Sequence, residues 1–297
     1  MIEPFRGWRL NLYLESGKET LCLPYDCGDE KLFNKLRKVE HNAIHLEVPK
    51  SGPKSAKAVW KKWIKEGALE KGGETYYILY ETWKQSGAVE SRIGVLGLLD
   101  LKDVIGRNKK KSVWPHERTK APKVALRTRH LIKLGVHISP IFLIADDSHG
   151  YFAGNLHDVI RRKSRSMEVR KHNASLFDGV ERTVYTTENK EIIKQLDRAI
   201  KSSRGFLVAD GHHRFEAAKA VALKRKSGKI LCYVTSSKFL PQRIAAHPES
   251  PSGKNIQTDS KIMLKDVIDV AKRGEFMPPK STYFWPKVPC GIVYTEI

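Results

Sequence analysis

The chain of 297 residues is 40% hydrophobic and 29% charged, an ordinary composition for a soluble globular protein with one large domain or two small ones. No run approaches the roughly 18 to 20 apolar residues of a membrane helix, and the start lacks the basic-then-apolar pattern of a signal peptide, so we expect a cytoplasmic protein without a membrane partner. The 54 Lys and Arg residues exceed the 33 acidic residues, and this net charge of +21 predicts attraction to polyanions, either nucleic acid or phosphorylated metabolites.

Helix and strand patterns alternate through the first third of the chain. A turn at residues 85–87 separates two strand-like runs and predicts an antiparallel pair. Ser55 can cap a helix for which Gly67 is the stop signal. The helices predicted in this part cover residues 29–39 and 55–66, and the strands cover residues 43–48, 75–83 and 92–101.

A basic stretch over residues 106–112 is interpreted as an exposed link. We therefore predict an N-terminal α+β region over residues 1–105 and a catalytic core over residues 106–297. The polar, arginine-rich interval 149–175 indicates surface structure that is partly helical. Further helices are predicted over residues 124–134, 192–203 and 216–226, and strands over residues 141–145, 206–209 and 230–235. This alternation indicates an α/β fold of mixed α+β type.

The sequence Asp210-Gly211-His212-His213-Arg214 lies between a predicted strand and a predicted helix. The first turn of a helix leaves backbone N–H groups unpaired, and the peptide dipoles favour an anion there. Gly211 lets a ligand approach the backbone, and the side chains that follow it donate to phosphate oxygens, Arg214 as a bidentate fork. Asp210 supplies a carboxylate that can hold Mg²⁺ or accept a proton. The alternative is a helix start with an Asx cap and solvated basic residues.

The familiar nucleotide-binding and nucleophile motifs are absent from the sequence. It contains no Walker A loop, no G-x-G-x-x-G fingerprint and no G-x-S-x-G elbow. A phosphate site in this chain is therefore of a different type.

A second cluster, His116-Glu117-Arg118-Thr119, places a carboxylate beside an imidazole and a guanidinium. An alcohol that attacks a phosphorus atom benefits from a positioned base, and Glu117 is the natural candidate for that base. The alternative is a helix N-terminus in which Glu117 and Thr119 act as capping residues.

The chain resembles the domain-of-unknown-function family numbered 1015, which is kin to the ParB/sulfiredoxin-like proteins and to free serine kinases built on that fold. The resemblance runs nearly end to end, over motifs that follow one another in the family's order. They are the Pro-Tyr-Asp motif at 24–26, an Asn-led segment at 42–46, the Pro-His-Glu-Arg-Thr motif at 115–119, the signature at 209–216 and the C-terminal block at 277–287. The resemblance implies a ParB/sulfiredoxin-like core.

What the resemblance further implies is a kinase that converts free L-serine to O-phospho-L-serine. In related kinases a Glu in a Pro-His-Glu context acts as base on the serine hydroxyl, which corresponds to Glu117, and His116 is then expected on the substrate side. The Asp-Gly-His-His-Arg loop of those kinases grips the donor phosphates, which corresponds to residues 210–214, with Asp210 as the metal ligand. The donor among such enzymes is ATP, ADP or pyrophosphate, and we favour ATP with Mg²⁺.

Further residues are expected to line the same phosphate site. A Lys followed by two hydroxyl side chains suits an anion, although an exposed C-terminal loop is the alternative for that segment. The additional residues are Arg118, Thr119, Lys280, Ser281 and Thr282.

The rival interpretation is a ParB-like nucleic-acid- or nucleotide-binding protein without kinase activity, which the charge of +21 and the shared fold favour. ParB-like DNA recognition relies on an added helix-turn-helix region, and no convincing one follows Val234. The presence of both Glu117 and Asp210 argues against a nucleotide-binding protein that has lost its catalytic activity. We therefore expect nucleic-acid binding to be nonspecific at most, and the sequence carries no signal for the oligomeric state.

Overall fold

A computed structural model describes residues 1–15, 19–85, 87–105, 112–173, 178–225, 228–240, 243–247, 261–275, 282–283 and 287–297 of the chain. The strands are β1 (Ile2–Glu3), β2 (Phe5–Leu10), β3 (Leu69–Thr75), β4 (Tyr77–Gln85), β5 (Ala88–Asp100), β6 (Val113–Pro115), β7 (Val136–His137), β8 (Ile141–Ala145), β9 (Glu168–Asn173), β10 (Glu181–Thr186), β11 (Phe206–Asp210), β12 (Lys229–Ser236), β13 (Arg243–His247), β14 (Lys261–Met263), β15 (Thr282–Tyr283) and β16 (Thr295–Glu296). The helices are α1 (Leu12–Glu15), α2 (Glu30–Leu36), α3 (Ile44–Glu47), α4 (Pro53–Lys65), α5 (Ala121–Leu134), α6 (Tyr151–Lys163), α7 (Lys190–Lys201), α8 (His212–Arg225) and α9 (Leu264–Lys272). Among these residues no helix combines the length and apolarity that crossing a bilayer requires.

A large mixed sheet organises the described part of the chain. Its strands follow the order β6-β11-β8-β12-β5-β4-β10-β9, with β1 also paired to β5. The pairs β6–β11 and β8–β12 are parallel, whereas β11–β8 and β12–β5 are antiparallel. The mixed α/β class predicted from the sequence is thus confirmed. Strands from both predicted regions share this sheet, and the boundary after residue 105 stays a prediction.

Strand β8 illustrates how helices cover both faces of the sheet. Ile141, Leu143 and Ala145 lie in a hydrophobic cluster with residues of α6, α7 and α8. Phe142 and Ile144 lie in a second cluster with residues of α9 and the C-terminal segment. Because successive side chains of a strand point to opposite faces, a strand covered on both sides is apolar at every position. This explains the uninterrupted apolar run that predicted the strand.

Backbone pairing between the two ends of the chain shapes the region beside the sheet edge. Cys22 and Cys290 form an antiparallel bridge in which each N–H donates to the other residue's carbonyl oxygen. The bridge holds the segment after Cys22 next to the segment before Cys290. It thereby brings Pro24–Cys27 and Lys287 to one side of the molecule, where the site described below lies.

Most of the predicted elements are confirmed. The antiparallel pair is β4 with β5, and the predicted helix over 124–134 is α5, which ends at Gly135 with φ +78°. The strand over 141–145 is β8, and the alternating elements over 192–235 are α7, β11, α8 and β12. The predicted helix over 55–66 is α4, which begins slightly earlier, at Pro53 with Gly52 in the N-cap position.

The strand predicted over residues 43–48 is wrong, because residues 44–47 form the short helix α3. The buried side chain of Asn42 explains the difference. Its Oδ1 accepts a hydrogen bond from the N–H of Ile44 at 2.8 Å, which begins a turn, and its amide donates to the carbonyl oxygens of Glu19 and Leu21. An apparent alternation of apolar residues is therefore the result of a turn that buries Ile44 and Leu46.

Two other predictions need correction at their bounds. The interval 149–175 contains the helix α6 as expected, but it also contains β9, an edge strand of the sheet. Helix α8 begins at His212 rather than near residue 216, because Gly211 accepts the first helical hydrogen bond from Phe215. The basic link over residues 106–111 lies outside the described residues.

Candidate functional site

The site lies where β6 and β11 end. These strands are parallel, with Pro115 opposite Val208, so the segments that follow them leave the sheet at the same edge. His116 and Glu117 follow β6, and His212 begins α8 directly after β11. A shift in the β11–β8 pairing between Val208 and Asp210 marks a β-bulge at this edge, an irregularity that is common next to active sites.

Glu117 lies between two imidazole rings. Its Oε1 is 3.5 Å from Nε2 of His116, and its Oε2 is 3.5 Å from Nδ1 of His212. The two ring centroids are 4.7 Å apart, and the ring planes meet at 80°. Both histidines are buried, whereas the Glu117 side chain is 46% exposed. A carboxylate that is accessible to a ligand is thus supported from behind by two buried rings.

The tautomer of His116 follows from its other contact. Its Nδ1 lies 2.7 Å from the carbonyl oxygen of Val208, and a carbonyl only accepts, so Nδ1 carries a hydrogen. Nε2 is then the nitrogen that faces Glu117.

The pKa of Glu117 is lowered from its ordinary value. Burial acts to raise this pKa, but the hydrogen bond with His116 and the charge interactions with His212 and His116 outweigh it. The pKa of His212 is lowered to about 3, chiefly by burial and then by His116. At neutral pH Glu117 is therefore an anion and His212 a neutral ring, which is the charge state that a general base beside a polar ligand needs.

A cleft of about 380 Å³ opens beside Glu117 at the first turn of α8. It is lined by Pro115, Glu117, Arg118, Thr119, His212 and Glu216. The first turn of a helix leaves N–H groups without helical partners, so this end of α8 is suited to an anion. The alternative in which Glu117 and Thr119 cap a helix is wrong, because α5 begins at Ala121 and its N-cap residue is Lys120.

Asp210 is held by two cations. Its Oδ2 accepts from Nη2 of Arg214 at 2.9 Å, and its Oδ1 accepts from Nζ of Lys287 at 2.8 Å. Burial acts to raise the pKa of Asp210, but Arg214 and Lys287 lower it below the ordinary value. Arg214 is 7% exposed and also donates to the carbonyl oxygen of Pro140, so it is not the solvated residue of the alternative interpretation. Its fork faces the protein rather than the cleft.

These contacts bear on the metal predicted at Asp210. Both carboxylate oxygens already accept from cations, and direct ligation would require Arg214 or Lys287 to move. In the described part of the chain no three His, Cys, Asp or Glu side chains are grouped as metal ligands. Asp210 as arranged therefore does not fit a resident Mg²⁺. Mg²⁺ often keeps several waters and binds substrate phosphates, and that mode needs few protein ligands.

Gly211 and His213 connect the loop to its surroundings. Gly211 has φ +85°, and a Cβ at this position would lie 3.1 Å from Ile141 and from the guanidinium of Arg214. Nε2 of His213 accepts from the backbone N–H of Lys120 at 3.1 Å. The first turn of α8 is thus tied to the segment that carries Glu117, and only glycine fits the turn before it.

Residues 2–238 match the family described as "Protein of unknown function (DUF1015)". The chain belongs to this family. No curated protein and no solved structure matches the chain. The matched residues of the DUF1015 family include Glu117 and the loop 210–214, whereas Lys287 lies beyond them.

The structure adds residues that were not predicted for the site. The backbone N–H of Tyr25 donates to Oε1 of the buried Glu47 at 3.3 Å, and Arg127 donates to the same oxygen at 2.9 Å. The guanidinium of Arg127 also lies 4.3 Å from the centre of the Tyr25 ring. Glu47 and Arg127 therefore hold the loop that carries Asp26. The Pro-Tyr-Asp motif, already part of the family resemblance, was the signal for this loop.

Lys287 is the second addition, since the sequence prediction chose Lys280 in the same C-terminal block. Lys287 also interacts with Cys27, whose pKa burial raises to about 12 while Lys287 opposes that rise. Lys280 and Ser281 lie outside the described residues. Thr282 is in β15, where its backbone pairs with His247 of β13, and its side chain is not described. Of the predicted C-terminal block, Lys287 is thus the residue with a described contact to the loop.

Proposed function

We propose that this protein is a kinase that transfers a phosphoryl group to the hydroxyl of free L-serine, with ATP favoured over ADP or pyrophosphate as donor. The observation that carries the proposal is Glu117, a half-exposed carboxylate beside the cleft at the start of α8. Glu117, which can act as a base on an alcohol, and the N-terminus of α8, which can bind an anion, then face the same cleft. The family resemblance supplies serine as the acceptor.

In the proposed reaction the serine hydroxyl oxygen attacks the terminal phosphorus of the donor. Glu117 accepts the hydroxyl proton as the new oxygen–phosphorus bond forms and the bond to the leaving phosphate breaks. His116 Nε2 lies 3.5 Å from Oε1 of Glu117 and helps to orient the carboxylate. Mg²⁺ bound to the donor phosphates would offset charge on the transferring group.

The remaining site residues have supporting roles in this proposal. The N–H groups at the start of α8 and the exposed Arg118 bind donor oxygens. Lys287 is 35% exposed and provides a further cation at the Asp210 end of the loop. Arg214 acts indirectly, because it orients Asp210 rather than reaching into the cleft.

The proposal is tested by incubating the protein with Mg²⁺, each common amino acid and either ATP, ADP or pyrophosphate. We expect O-phospho-L-serine, detected by mass spectrometry, to form with one donor at a rate well above that of protein-free controls. Substitution of Glu117 by Asn or Gln should abolish most of this product formation. Phosphorylation of a different hydroxy compound would correct the acceptor, and the absence of turnover with every pair would remove the kinase proposal.

The net charge of +21 favours a second candidate function, nonspecific binding of nucleic acid. Binding through scattered Lys and Arg should weaken steeply with salt and ignore sequence. Titration of unrelated DNA duplexes at two salt concentrations measures both properties. A clear preference for one sequence at physiological salt would instead support the ParB-like function.

A further inference from the structure

A small, partly open cavity is lined in part by Arg214, and it shares no lining residue with the cleft beside Glu117. It measures about 30 Å³ and is lined by residues of α5, of β7 and the segment that leads to β8, and of the first turns of α8. A water molecule needs roughly 10 to 15 Å³ of such volume and two to four polar partners. The cavity therefore has room for one water, and polar side chains in its wall decide whether water is stable there.

Two of the residues that line the cavity, Arg214 and His130, each contain a buried polar atom without a described partner. Within the described residues neither Nε of Arg214 nor Nε2 of His130 has a hydrogen bond. Arg214 is 7% exposed and His130 6% exposed. An unsatisfied buried donor or acceptor destabilises the folded state, so a water that satisfies both atoms would be stabilising.

The protonation state of His130 determines which atoms donate and which accept in a water bridge between His130 and Arg214. The backbone of Leu46 acts to raise the pKa of His130. Burial, followed by the charge of Arg127, nevertheless lowers this pKa to about 4. His130 is thus neutral at physiological pH, and Nε2 accepts a hydrogen bond when Nδ1 carries the ring proton. Nε of Arg214 is a donor.

We propose that an ordered water in this cavity accepts from Nε–H of Arg214 and donates to Nε2 of His130. His130 then acts as a positioning residue, because it restrains the guanidinium that binds Asp210. Asp210 in turn binds Lys287 and sits directly before the first turn of α8. The proposed water site is inferred from the cavity and from the two buried atoms, Nε of Arg214 and Nε2 of His130. The effect of this water on catalysis rests on the proposed kinase function.

Substitutions of His130 separate this role from simple packing. His130→Leu fills the same space but removes the acceptor, whereas His130→Gln keeps an acceptor oxygen. The matched control is His137→Leu, because His137 lines the same cavity but its Nε2 already bonds to the carbonyl oxygen of Lys229 at 3.0 Å. Both Leu variants lose a buried ring, and only one of them loses a contact to the proposed water.

The first measurement is a high-resolution crystal structure of the unliganded wild-type protein. We expect density for a water within hydrogen-bonding distance of both Arg214 Nε and His130 Nε2. A dry cavity, or a water that contacts only one of the two atoms, would overturn the proposal. This measurement needs no enzymatic activity and no variant that folds.

The second measurement is the KM for ATP and for pyrophosphate in the variants. For His130→Leu we expect KM to rise about tenfold with kcat within about twofold, as for the loss of one water-mediated bond to a charged group. His130→Gln should restore most of the affinity, and His137→Leu should lower the melting temperature while leaving KM unchanged. Equal KM for wild type and His130→Leu would refute the positioning role. If the wild type uses neither donor, the kinase proposal fails and the crystal structure still decides the water site.

Discussion

Replacing Glu117 by Gln tests the central chemical claim, because the substitution keeps the size and shape of the side chain but removes its ability to accept a proton. A positioned base contributes roughly 10² to 10⁴ to a rate, which equals about 2.7 to 5.4 kcal/mol of activation free energy. We expect kcat for serine phosphorylation to fall by this factor. The KM for the donor should change little, because Glu117 is itself an anion and is proposed to contact the acceptor.

The structure also sets the expected effect of this variant on stability. The Glu117 side chain is 46% exposed and caps no helix, so its loss should change the free energy of unfolding by about 0.5 kcal/mol or less. For a chain of this size that corresponds to a melting shift of about 2 °C or less. Glu216→Gln is the matched control, because Glu216 lines the same cleft but its carboxylate bonds to Lys219 at 2.7 Å. Its turnover should stay within a few-fold of wild type.

The pH dependence of turnover provides an independent check on Glu117. A base with a lowered pKa stays ionised at and above its ordinary pKa, and its contribution is lost only as pH falls through the lowered value. The acid limb of the kcat/KM profile, which reports the free enzyme, should therefore lie below the ordinary glutamate pKa and disappear in Glu117→Gln. Near wild-type turnover in Glu117→Gln, or an equal loss in Glu216→Gln, would refute the reasoning.

Three further predictions concern stability and are measured by urea or thermal unfolding. Gly211→Ala should lower the free energy of unfolding by about 1 to 2 kcal/mol, because φ is +85° and the new methyl group would lie 3.1 Å from Arg214. An unchanged unfolding midpoint would contradict this strain in the turn. Glu81→Gln should lower the free energy of unfolding by about 3 to 5 kcal/mol, because Glu81 is fully buried and binds the buried Arg92 at 2.5 Å. A decrease of less than about 1 kcal/mol would argue against this ion pair. Burial lowers the pKa of His137 to about 4. Between pH 6.5 and 4 this residue therefore binds more protons in the unfolded chain than in the folded one. The free energy of unfolding falls in this range as pH falls, by up to about 1.4 kcal/mol per pH unit. His137→Gln should flatten that slope, and an identical slope in both proteins would exclude His137 as a cause.

Much of the secondary structure could be predicted because its signals are local. A strand buried on both faces is apolar at each position, and a glycine with positive φ ends a helix, as β8 and Gly135 demonstrate. The prediction failed at residues 43–48, where the pattern of apolar residues was correct but the buried amide of Asn42 turned the chain into a helix. That amide contacts carbonyl oxygens more than 20 residues away, and no local period records such a contact.

For the site, the sequence by itself determined which short segments carry chemistry: the motif around Glu117 and the loop 210–214. Only the tertiary structure decided how these segments meet. The parallel pairing of β6 with β11 brings Glu117 to His212, and the bridge between Cys22 and Cys290 brings Lys287 to the loop. The orientation of Arg214 toward Asp210 was likewise invisible in the sequence, because a buried cation turns to whichever carboxylate and carbonyl oxygens the fold places around it. Residue types limit the chemistry that a segment can perform, whereas the contacts between distant segments decide which of its side chains face a ligand.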